Sequence, residues 1–522
     1  MATFFRPEWN CGRYHKSDNR SMALLYNKLD GMSFLFEDES ADIINIILKY
    51  DYNDPISISS LFEECDPLYT EKDIVDFCEE LINVGLLTSD LLTGQSIEKI
   101  RRDIGTNRIN EHNIEKVVQE KLPFVISSAE NDYSQFIEKD NIPFSVMIEL
   151  TYNCNEQCIH CYNPGASRNV NEKSKRNSIS ELTYNDYEKL LFELEDLGVV
   201  KISLTGGESF AKKDIWKIIE LIHKLGFSFD IFTNGLLLEN VNNLLKYFPQ
   251  SVRLSVYSAN EDVHDSITRV TGSLVKTLKT AKELQINGVP IFFNCPIMKN
   301  NVSSYHTVYE LSKEYGAIAQ FDVNLADSVD GDLAVSNQLQ VSNDQLEILL
   351  RDPNIPLYVG KEAPGFGKKS LLKNEPFCGA GINVLNITPE GHVTPCNAFP
   401  ASFGNLKENG ITEIISNSES LKKWQAISIK DYDECGTYDQ CWYCNRCPGQ
   451  SYIEHGSALK KSSTNHNTAT VRFNLAHKLM NGNDPLKGLV PVDILSKERF
   501  EPELIKSAKT SNNHRNKQLT LE

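Results

Sequence analysis

The sequence has no run of about 18 consecutive apolar residues, so we expect no membrane-spanning helix. Its first residues, MATFFRPEWNCGRYHKS, lack the basic and then apolar layout of an export signal. Positive charge is scarce, since 53 Lys and Arg residues stand against 71 Asp and Glu residues and the net charge is −18. Because phosphate binding needs a basic surface, nucleic acid is a poor candidate for the main partner. These absences predict a cytoplasmic protein that acts on neither membranes nor nucleic acids.

The chain is long, has a normal apolar content and is rich in cysteine. Its 522 residues suffice for about three domains of ordinary size. Hydrophobic residues make up 40% and charged residues 24%, which is typical of a globular protein with a sizeable core. Thirteen cysteines, most of them clustered and without an export signal, indicate metal ligation rather than disulfides. Four are isolated, and we interpret them as ordinary thiols: Cys11, Cys65, Cys78 and Cys295.

The most informative cluster is the C-x3-C-x2-C motif formed by Cys154, Cys158 and Cys161 in TYNCNEQCIHCYN. Three thiolates on one short loop can bind three irons of a 4Fe–4S cluster and leave the fourth iron open to a reactant. A structural zinc site prefers four closed ligands, so three unequally spaced thiolates fit zinc poorly. The motif therefore predicts an iron–sulfur cluster with an open position. A three-cysteine structural site is the alternative.

Between about residues 140 and 325, short apolar runs alternate with amphipathic helical patterns. This alternation predicts an α/β fold in which the strands form a parallel sheet with right-handed crossovers. The six strand-like runs are FSVMIEL (144–150), VVKISL (199–204), FSFDIF (227–232), SVRLSV (251–256), VPIFFN (289–294) and IAQFDV (318–323).

Chemically capable residues follow the first four of these strands. The cysteine motif follows the first strand, and Gly206-Gly207-Glu208 follows the second. Thr233-Asn234-Gly235 follows the third strand, and Tyr257-Ser258 follows the fourth. In α/β barrels the active site lies at the carboxyl ends of the strands, which is where all four groups fall. We therefore expect them to surround one site.

The cysteine motif and the two triplets, in this order, resemble those of the radical S-adenosylmethionine (SAM) enzymes over about residues 143–330. The resemblance implies a partial (β/α)6 barrel with a 4Fe–4S cluster on the three cysteines. It also implies that SAM binds the open iron through its amino and carboxylate groups, and that Glu208 contacts the SAM ammonium. The cofactor-binding residues implied by the resemblance are His160, Tyr162, Gly206, Gly207, Glu208, Thr233, Asn234, Ser255, Ser258 and Arg269.

Some of these residues have plainer interpretations. His160 occupies a position that is often aromatic in the family, and Tyr162 can equally fill the core. Arg269, in EDVHDSITRVTGS, is offset by one from the commonest pattern for a residue that contacts the SAM carboxylate. A surface salt bridge is therefore the alternative for Arg269. His264 in the same segment is better explained as a structural histidine, and the sequence identifies no catalytic base.

A second group of cysteines begins with CGAGINVLNITPEGHVTPCNAFP, which resembles the opening of a SPASM domain over about residues 375–460. This domain is the auxiliary iron–sulfur module of many peptide-modifying radical SAM enzymes, and it carries one or two additional 4Fe–4S clusters. The resemblance implies that one auxiliary cluster is bound by Cys378, Cys396 and Cys447. It implies that the other is bound by Cys435, Cys441 and Cys444.

The second group also departs from the family. No cysteine follows Cys447, although the family has a further one after a gap. His466 and Asn467 stand where we would look for it, so each auxiliary cluster has either a non-cysteine ligand or an open iron. A zinc site on the last three cysteines is the alternative, because C-x2-C is also a zinc spacing.

The N-terminal segment has a different pattern. The strand-like run GMSFLF (31–36) precedes a helix ADIINIIL (41–48) and a helix EKDIVDFCEELIN (71–83). Thr70 and Asp73 form an acidic variant of the capping box at the start of the second helix, and Gly85 follows its end. This order is similar to the small winged-helix-like domains that bind leader peptides in front of many peptide-modifying radical SAM enzymes. A helical cap that only packs on the barrel is the alternative.

The chain should thus have five parts. They are a leader-binding winged-helix-like domain (1–95), a linker with helical pieces (96–140), the radical SAM barrel (141–340), a cysteine-rich SPASM domain (375–460) and a partly disordered C-terminal extension (461–522).

This order of domains resembles that of enzymes that mature ribosomally synthesised peptides. It implies an oxidoreductase that crosslinks a precursor peptide carrying a leader, supplied with electrons by a donor such as flavodoxin or ferredoxin. We favour a thioether crosslink, with a carbon–carbon crosslink as the alternative. Two other classes stay open: oxidation of a residue in a protein substrate, and a non-catalytic iron–sulfur electron carrier. The two triplets, Gly206-Gly207-Glu208 and Thr233-Asn234-Gly235, argue against the electron carrier, because such a protein has no need of a SAM site.

Overall fold

The structure, a computed structural model, describes residues 3–65, 69–112, 128–164, 180–359, 378–432, 438–482, 484–486 and 488–497. Within these ranges, no helix combines the length and the apolar character needed to cross a membrane.

The N-terminal sheet begins earlier than the sequence indicated. Three strands precede the one that was expected: β1 (Thr3–Phe5), β2 (Asn10–Ser17) and β3 (Arg20–Asn27) come before β4 (Met32–Glu37). β2, β3 and β4 pair antiparallel in that order. The sequence pattern does not predict β2, because this strand buries the polar side chains of Asn10 and Arg13.

Helices and one further strand complete this module. They are α1 (Asp38–Leu48), β5 (Pro55–Ser57), α2 (Ile58–Glu64) and α3 (Glu71–Asn83), and β5 pairs with β1. The capping box of α3 is confirmed, since the Thr70 amide donates to Asp73 Oδ2 at 2.8 Å and the Asp73 amide donates to Thr70 Oγ1 at 3.3 Å. Gly85 follows the helix with a φ of +72°, which favours glycine.

The stretch expected to be a linker contains two helices, α4 (Gly94–His112) and α5 (Ser128–Glu138). α5 packs against β3 and β4, and the Tyr26 hydroxyl donates to Glu130 at 2.5 Å. α1 packs against the same sheet. Because two helices cover it, β3 is buried along most of its length and shows no alternation of apolar and polar residues.

The central domain is a parallel sheet with helical crossovers, and all six expected strands are present. They pair in parallel in the order β11-β10-β9-β8-β7-β6, which confirms the α/β class. The elements are β6 (Ser145–Glu149), α6 (Tyr184–Asp196), β7 (Lys201–Thr205), α7 (Ile215–Lys224), β8 (Ser228–Thr233), α8 (Val241–Leu245), β9 (Ser251–Ser255), α9 (Glu261–Thr268), α10 (Ser273–Ile286), β10 (Ile291–Pro296), α11 (Tyr305–Glu314) and β11 (Ile318–Asp322).

The two faces of this sheet differ in chemistry. One face buries apolar side chains such as Ile148, Leu204 and Ile231 in the main core. The other face carries a charged network, in which Asp230 accepts hydrogen bonds from Ser203 at 2.6 Å and from Arg253 at 3.3 Å. Burial acts to raise the pKa of Asp230, but the charges of Lys201 and Arg253 outweigh it and lower that pKa. The carboxylate therefore stays ionised inside the fold.

The cysteine-rich segment extends the same sheet. Two helices connect it to the barrel, α12 (Ala334–Gln338) and α13 (Asn343–Leu349). β12 (Val384–Ile387) then pairs in parallel with β6, and β13 (His392–Thr394) and β14 (Gly404–Asn405) follow antiparallel, giving nine strands in one sheet. The sequence analysis did not predict this continuity.

The remaining elements are helical: α14 (Ile411–Asn417), α15 (Glu419–Gln425), α16 (Pro448–His455), α17 (Ser463–Met480) and α18 (Pro491–Leu495). The described part of the C-terminal extension thus contains a helix of 18 residues. Arg472 on α17 donates to the Tyr443 carbonyl, so α17 packs on the cysteine-rich loop. The extension over residues 461–522 was expected to be partly disordered, and its residues 498–522 lie outside the described part of the chain.

The N-terminal module docks on the barrel at the amino ends of the strands. Arg13 donates to the carbonyl oxygens of Val199 at 2.9 Å and Leu225 at 2.8 Å, just before β7 and β8. Lys28 contacts His223 Nδ1 at 3.3 Å in the same interface. This surface is therefore on the side opposite to the carboxyl ends of the strands.

Arg13→Ala should weaken this docking by about 3 kcal/mol, because buried carbonyl oxygens lose charged donors. Limited proteolysis of the folded protein measures the change as faster release of the N-terminal module. Arg20→Ala is the matched control, since Arg20 makes only an exposed ion pair with Glu37 at 3.3 Å. Equal proteolysis rates for the two variants would contradict the role given to Arg13.

Candidate cofactor cavity and metal centres

A cavity of about 560 Å³ lies at the carboxyl ends of the barrel strands. The first cysteine motif and residues from both polar triplets line it together. The residues named by the sequence analysis that line the cavity are Cys154, Cys158, His160, Cys161, Tyr162, Gly206, Gly207, Thr233, Asn234 and Ser255. The expectation that these groups surround one site agrees with this geometry.

The cysteine loop is held in place by main-chain hydrogen bonds to the end of α9. The Gln157 amide donates to the Thr268 carbonyl at 3.0 Å, and the Ile159 amide donates to the Ile267 carbonyl at 3.0 Å. Burial raises the pKa of Cys154 to about 12, and burial together with the charge of Glu156 raises the pKa of Cys158 well above its usual value. Three deprotonated thiols here need a cation beside them.

The donor set fits an iron–sulfur cluster better than a single metal ion. Within the described ranges, no three His, Cys, Asp or Glu side chains converge as the ligands of one ion would. The charges of Cys154 and Cys161 nevertheless act on Cys158, so the three sulfurs share one region of the cavity. In a 4Fe–4S cluster each thiolate binds a different iron, which suits sulfurs that are near one another without meeting at a point.

The two glycines of the first triplet allow β7 to lie directly against the cysteine loop. A Cβ on Gly206 would overlap the Thr151 carbonyl oxygen, and Gly206 has a φ of +130° that only glycine adopts readily. The Gly207 amide donates to the Thr151 carbonyl at 2.7 Å, and the Glu208 amide donates to the Asn153 carbonyl at 2.9 Å. Both positions therefore require glycine for packing.

Glu208 joins the two triplets. Its carboxylate accepts hydrogen bonds from Thr233 Oγ1 at 2.7 Å and from the Asn234 amide at 2.7 Å. Burial raises its pKa, although these hydrogen bonds act in the opposite direction. Glu208 is 1% exposed and lies behind the cavity lining instead of in it. It therefore fixes the positions of Thr233 and Asn234, which do line the cavity.

Two other candidates lie outside the lining. Ser258 is fully buried, and its hydroxyl donates to Ser304 at 3.0 Å. Arg269 caps α9 in the left-handed conformation, with a φ of +59°. His264 is also fully buried, and its Nδ1 accepts from the Tyr257 amide at 3.3 Å, as expected of a structural histidine.

The structure adds residues that the sequence analysis missed. Arg253, Asn294 and Asp322 line the cavity from inside the barrel. Tyr257, which was expected at the site, also lines the cavity and packs edge-on against His160 at 4.8 Å between ring centroids. Arg253 and Ser255 are two positions apart on one strand, so the alternation of strand side chains could have identified Arg253. Asn397 lines the cavity too, and no local signal distinguishes it.

The described cysteines of the second group lie in two separate places. Cys378 and Cys447 lie near enough to Cys396 for their charges to raise its pKa, in addition to burial. Cys441 and Cys444 lie on the turn beneath α17, and Cys444 Sγ is 3.8 Å from the Asn465 carbonyl. Cys435 lies outside the described residues.

The proposed non-cysteine ligands have other contacts. The His466 ring packs on Tyr438 at 5.9 Å between centroids. Asn467 donates to Asn343 at 2.7 Å, which turns its amide toward α13. Asn465 is the residue of this stretch that contacts Cys444.

Comparison with known proteins agrees with this geometry. A family model described as "Radical SAM superfamily" matches residues 148–311, and the SPASM model, described as "Iron-sulfur cluster-binding domain", matches residues 378–448. The antilisterial bacteriocin subtilosin biosynthesis protein AlbA of Bacillus subtilis is 26% identical over 320 residues, which cover 59% of this chain and 67% of AlbA. The AdoMet-dependent heme synthase of Methanosarcina barkeri is 25% identical over 350 residues, which cover 62% of this chain and 97% of that protein.

A solved structure supports the same fold. Streptococcus suis SuiB bound to the precursor peptide SuiA covers 88% of this chain and 99% of its own, with 16% sequence identity and a TM-score of 0.51. The radical SAM domain implies SAM and a 4Fe–4S cluster as cofactors, and the SPASM domain implies auxiliary iron–sulfur clusters. On these motifs, this cavity and these matches, the chain contains a radical SAM domain and a SPASM domain and is similar to peptide-modifying radical SAM enzymes.

Proposed function

We propose that this enzyme oxidatively crosslinks a ribosomally synthesised peptide and forms a thioether bond. The observation that carries the proposal is that one cavity is lined by the SAM-cluster cysteines and also by Asn397, the residue next to Cys396 of the auxiliary group. A reactant in this cavity therefore lies beside both metal centres. The printed names of AlbA, a bacteriocin biosynthesis protein, and of SuiB, bound to a precursor peptide, support a peptide substrate.

Residues of the chain have distinct tasks in this proposal. Cys154, Cys158 and Cys161 hold the cluster that, with SAM, supplies a 5′-deoxyadenosyl radical able to remove a hydrogen atom from a substrate carbon. Glu208 stabilises the SAM ammonium through its charge and through the loop it orders. The candidates for SAM contact that line the cavity are His160, Tyr162, Gly206, Gly207, Thr233, Asn234 and Ser255. The remaining two candidates, Ser258 and Arg269, lie outside the cavity lining.

The electron balance of the proposed reaction explains why a second metal centre is needed. The substrate loses one hydrogen atom from carbon and one proton from a cysteine thiol, and a carbon–sulfur bond forms. One electron remains to be removed, and an auxiliary cluster held by Cys378, Cys396 and Cys447 would accept it. Cys435, Cys441 and Cys444 would hold a further cluster that faces an external donor such as flavodoxin or ferredoxin.

The leader of the peptide would bind the N-terminal module as an added strand. β4 is an edge strand, and among the described residues no strand pairs with its outer edge. Beside it lies a half-buried apolar strip, in which the rings of Phe36 and Phe77 are 6.0 Å apart between centroids. An exposed edge with an apolar strip suits addition of an extended peptide. Because the module docks at the amino ends of the barrel strands, the peptide must pass around the barrel to reach the cavity.

A second candidate function is modification of a small molecule. The heme synthase of Methanosarcina barkeri matches along almost its whole length, so this class is supported by similarity too. That match covers 62% of this chain, so it leaves more than a third of the chain without a counterpart. Binding of a leader peptide distinguishes the two functions.

The metal content should be about twelve irons in anaerobically reconstituted protein, corresponding to three 4Fe–4S clusters. The triple variant Cys154→Ala/Cys158→Ala/Cys161→Ala should lose about four of them and all reductive cleavage of SAM. Iron and sulfide analysis measures the first change, and detection of 5′-deoxyadenosine measures the second. A wild-type content of about four irons would remove the auxiliary clusters from the proposal.

Glu208→Gln should weaken SAM binding by about tenfold or more, because the buried carboxylate that holds Thr233 and Asn234 in the cavity lining loses its charge. Equilibrium dialysis with SAM on the reconstituted protein measures this. Glu220→Gln is the matched control, since Glu220 makes only a surface pair with Lys224 at 2.9 Å. Unchanged SAM affinity in Glu208→Gln, with normal iron content, would exclude Glu208 from the SAM site.

Phe77→Ala should lower leader affinity by about tenfold, because the strip beside β4 loses one of its two paired phenyl rings. Fluorescence anisotropy of a labelled leader peptide measures the affinity. Phe192→Ala removes a phenyl ring that is 48% exposed on α6, away from the strip, and should leave binding unchanged. An equal effect of both substitutions, or no binding of leader to the wild type, would contradict the assignment of this site.

A further inference from the structure

The two cysteine groups are joined by a single side-chain hydrogen bond. Tyr162 directly follows Cys161, and Asn397 directly follows Cys396. Asn397 Nδ2 donates to the Tyr162 hydroxyl at 2.7 Å, although the two residues are 235 positions apart. Both side chains line the cavity.

The tyrosine lies between the two sets of metal ligands. The charges of both Cys161 and Cys396 act on its hydroxyl, so that group is close to each set. The main chain on either side is also fixed, since the Val329 amide donates to the Tyr162 carbonyl at 3.1 Å. Thr394 Oγ1 donates to the Cys396 carbonyl at 3.1 Å.

The position and the short path between the sites suggest a role beyond packing. Electron transfer falls off less steeply along covalent and hydrogen bonds than across empty space. The path from Cys161 through the Tyr162 ring and Asn397 to Cys396 crosses only one hydrogen bond.

We propose that the Tyr162–Asn397 hydrogen bond is the contact through which electrons pass between the auxiliary site at Cys396 and the SAM-cluster site at Cys161. Both are positioning residues, and the inference rests on the proposed function. When the carbon–sulfur bond forms, the proton of the thiol would leave to solvent, and the cluster held by Cys378, Cys396 and Cys447 would accept one electron. Returned along this contact, that electron would replace the one that the next SAM cleavage consumes, so that one electron is released and one is used in each turnover.

Two substitutions test the contact without removing a ligand. Tyr162→Phe removes only the hydroxyl, and Asn397→Leu removes the amide at similar volume. Reconstituted protein receives one equivalent of reductant per molecule, and freeze-quenched samples are followed by electron paramagnetic resonance. The SAM-cluster signal is recognised by its change on addition of SAM. Electron transfer between the two clusters, followed as the loss of one signal and the growth of the other, should slow at least severalfold in both variants.

The double variant should be no slower than either single variant, because both substitutions break the same bond. Tyr187→Phe is the matched control: its buried hydroxyl donates to the Leu150 carbonyl at 3.2 Å, and Tyr187 does not line the cavity. Iron content, midpoint potentials and the thermal unfolding of the cluster-free protein should stay close to wild type in all variants.

Two results would overturn the proposal. Exchange at the wild-type rate in Tyr162→Phe and Asn397→Leu would exclude the contact as the electron path. Slower exchange accompanied by loss of iron or by shifted potentials would assign the pair a structural role. Failure of the proposed function is a separate result, because the clusters of an enzyme that modifies no peptide would still exchange electrons at a rate that these substitutions change.

Discussion

The pairing of β12 with β6 is the constraint on which both metal sites depend. β6 leads into the cysteine loop, and β12 leads through β13 to Cys396, with Val384 to Ile387 in register with Ser145 to Ile148. A slip of one residue would turn every side chain of β12 to the other face of the sheet. The separation of the two cysteine groups is therefore set by main-chain hydrogen bonds, and the Tyr162–Asn397 contact follows from that register.

Charged groups inside the barrel are tolerated because each has a partner. Asp230 is 2% exposed, and it is stabilised by Lys201 and Arg253. The Arg253 guanidinium also lies over the rings of Phe232 and Phe292 and donates to Gln320 at 3.0 Å. Burying such groups unpaired would cost several kcal/mol each. Their pairing leaves a polar barrel interior that opens into the cavity.

Much of the barrel could be predicted from sequence, because parallel strands and amphipathic helices leave local periodic patterns. The six strands and the gathering of both triplets at one end followed from those patterns. β2 and β3 were missed for opposite reasons: β2 buries Arg13 in an interface with the barrel, and β3 is covered on both sides. Arg253 and Asn397 in the cavity were missed as well. In each case the deciding partner lies far away in the chain.

The sequence by itself determined the candidate metal ligands and their order, because thiolate chemistry, glycine turns and strand periodicity are properties of short segments. It was sufficient to identify the cysteine loop, the Gly-Gly-Glu triplet and the second cysteine group. Only the tertiary structure decided that Glu208 orders Thr233 and Asn234, and that Tyr162 reaches Asn397. It also decided that the N-terminal module docks at the end of the barrel opposite the cavity. These contacts depend on strand order and register across as many as 235 positions, which no local pattern encodes.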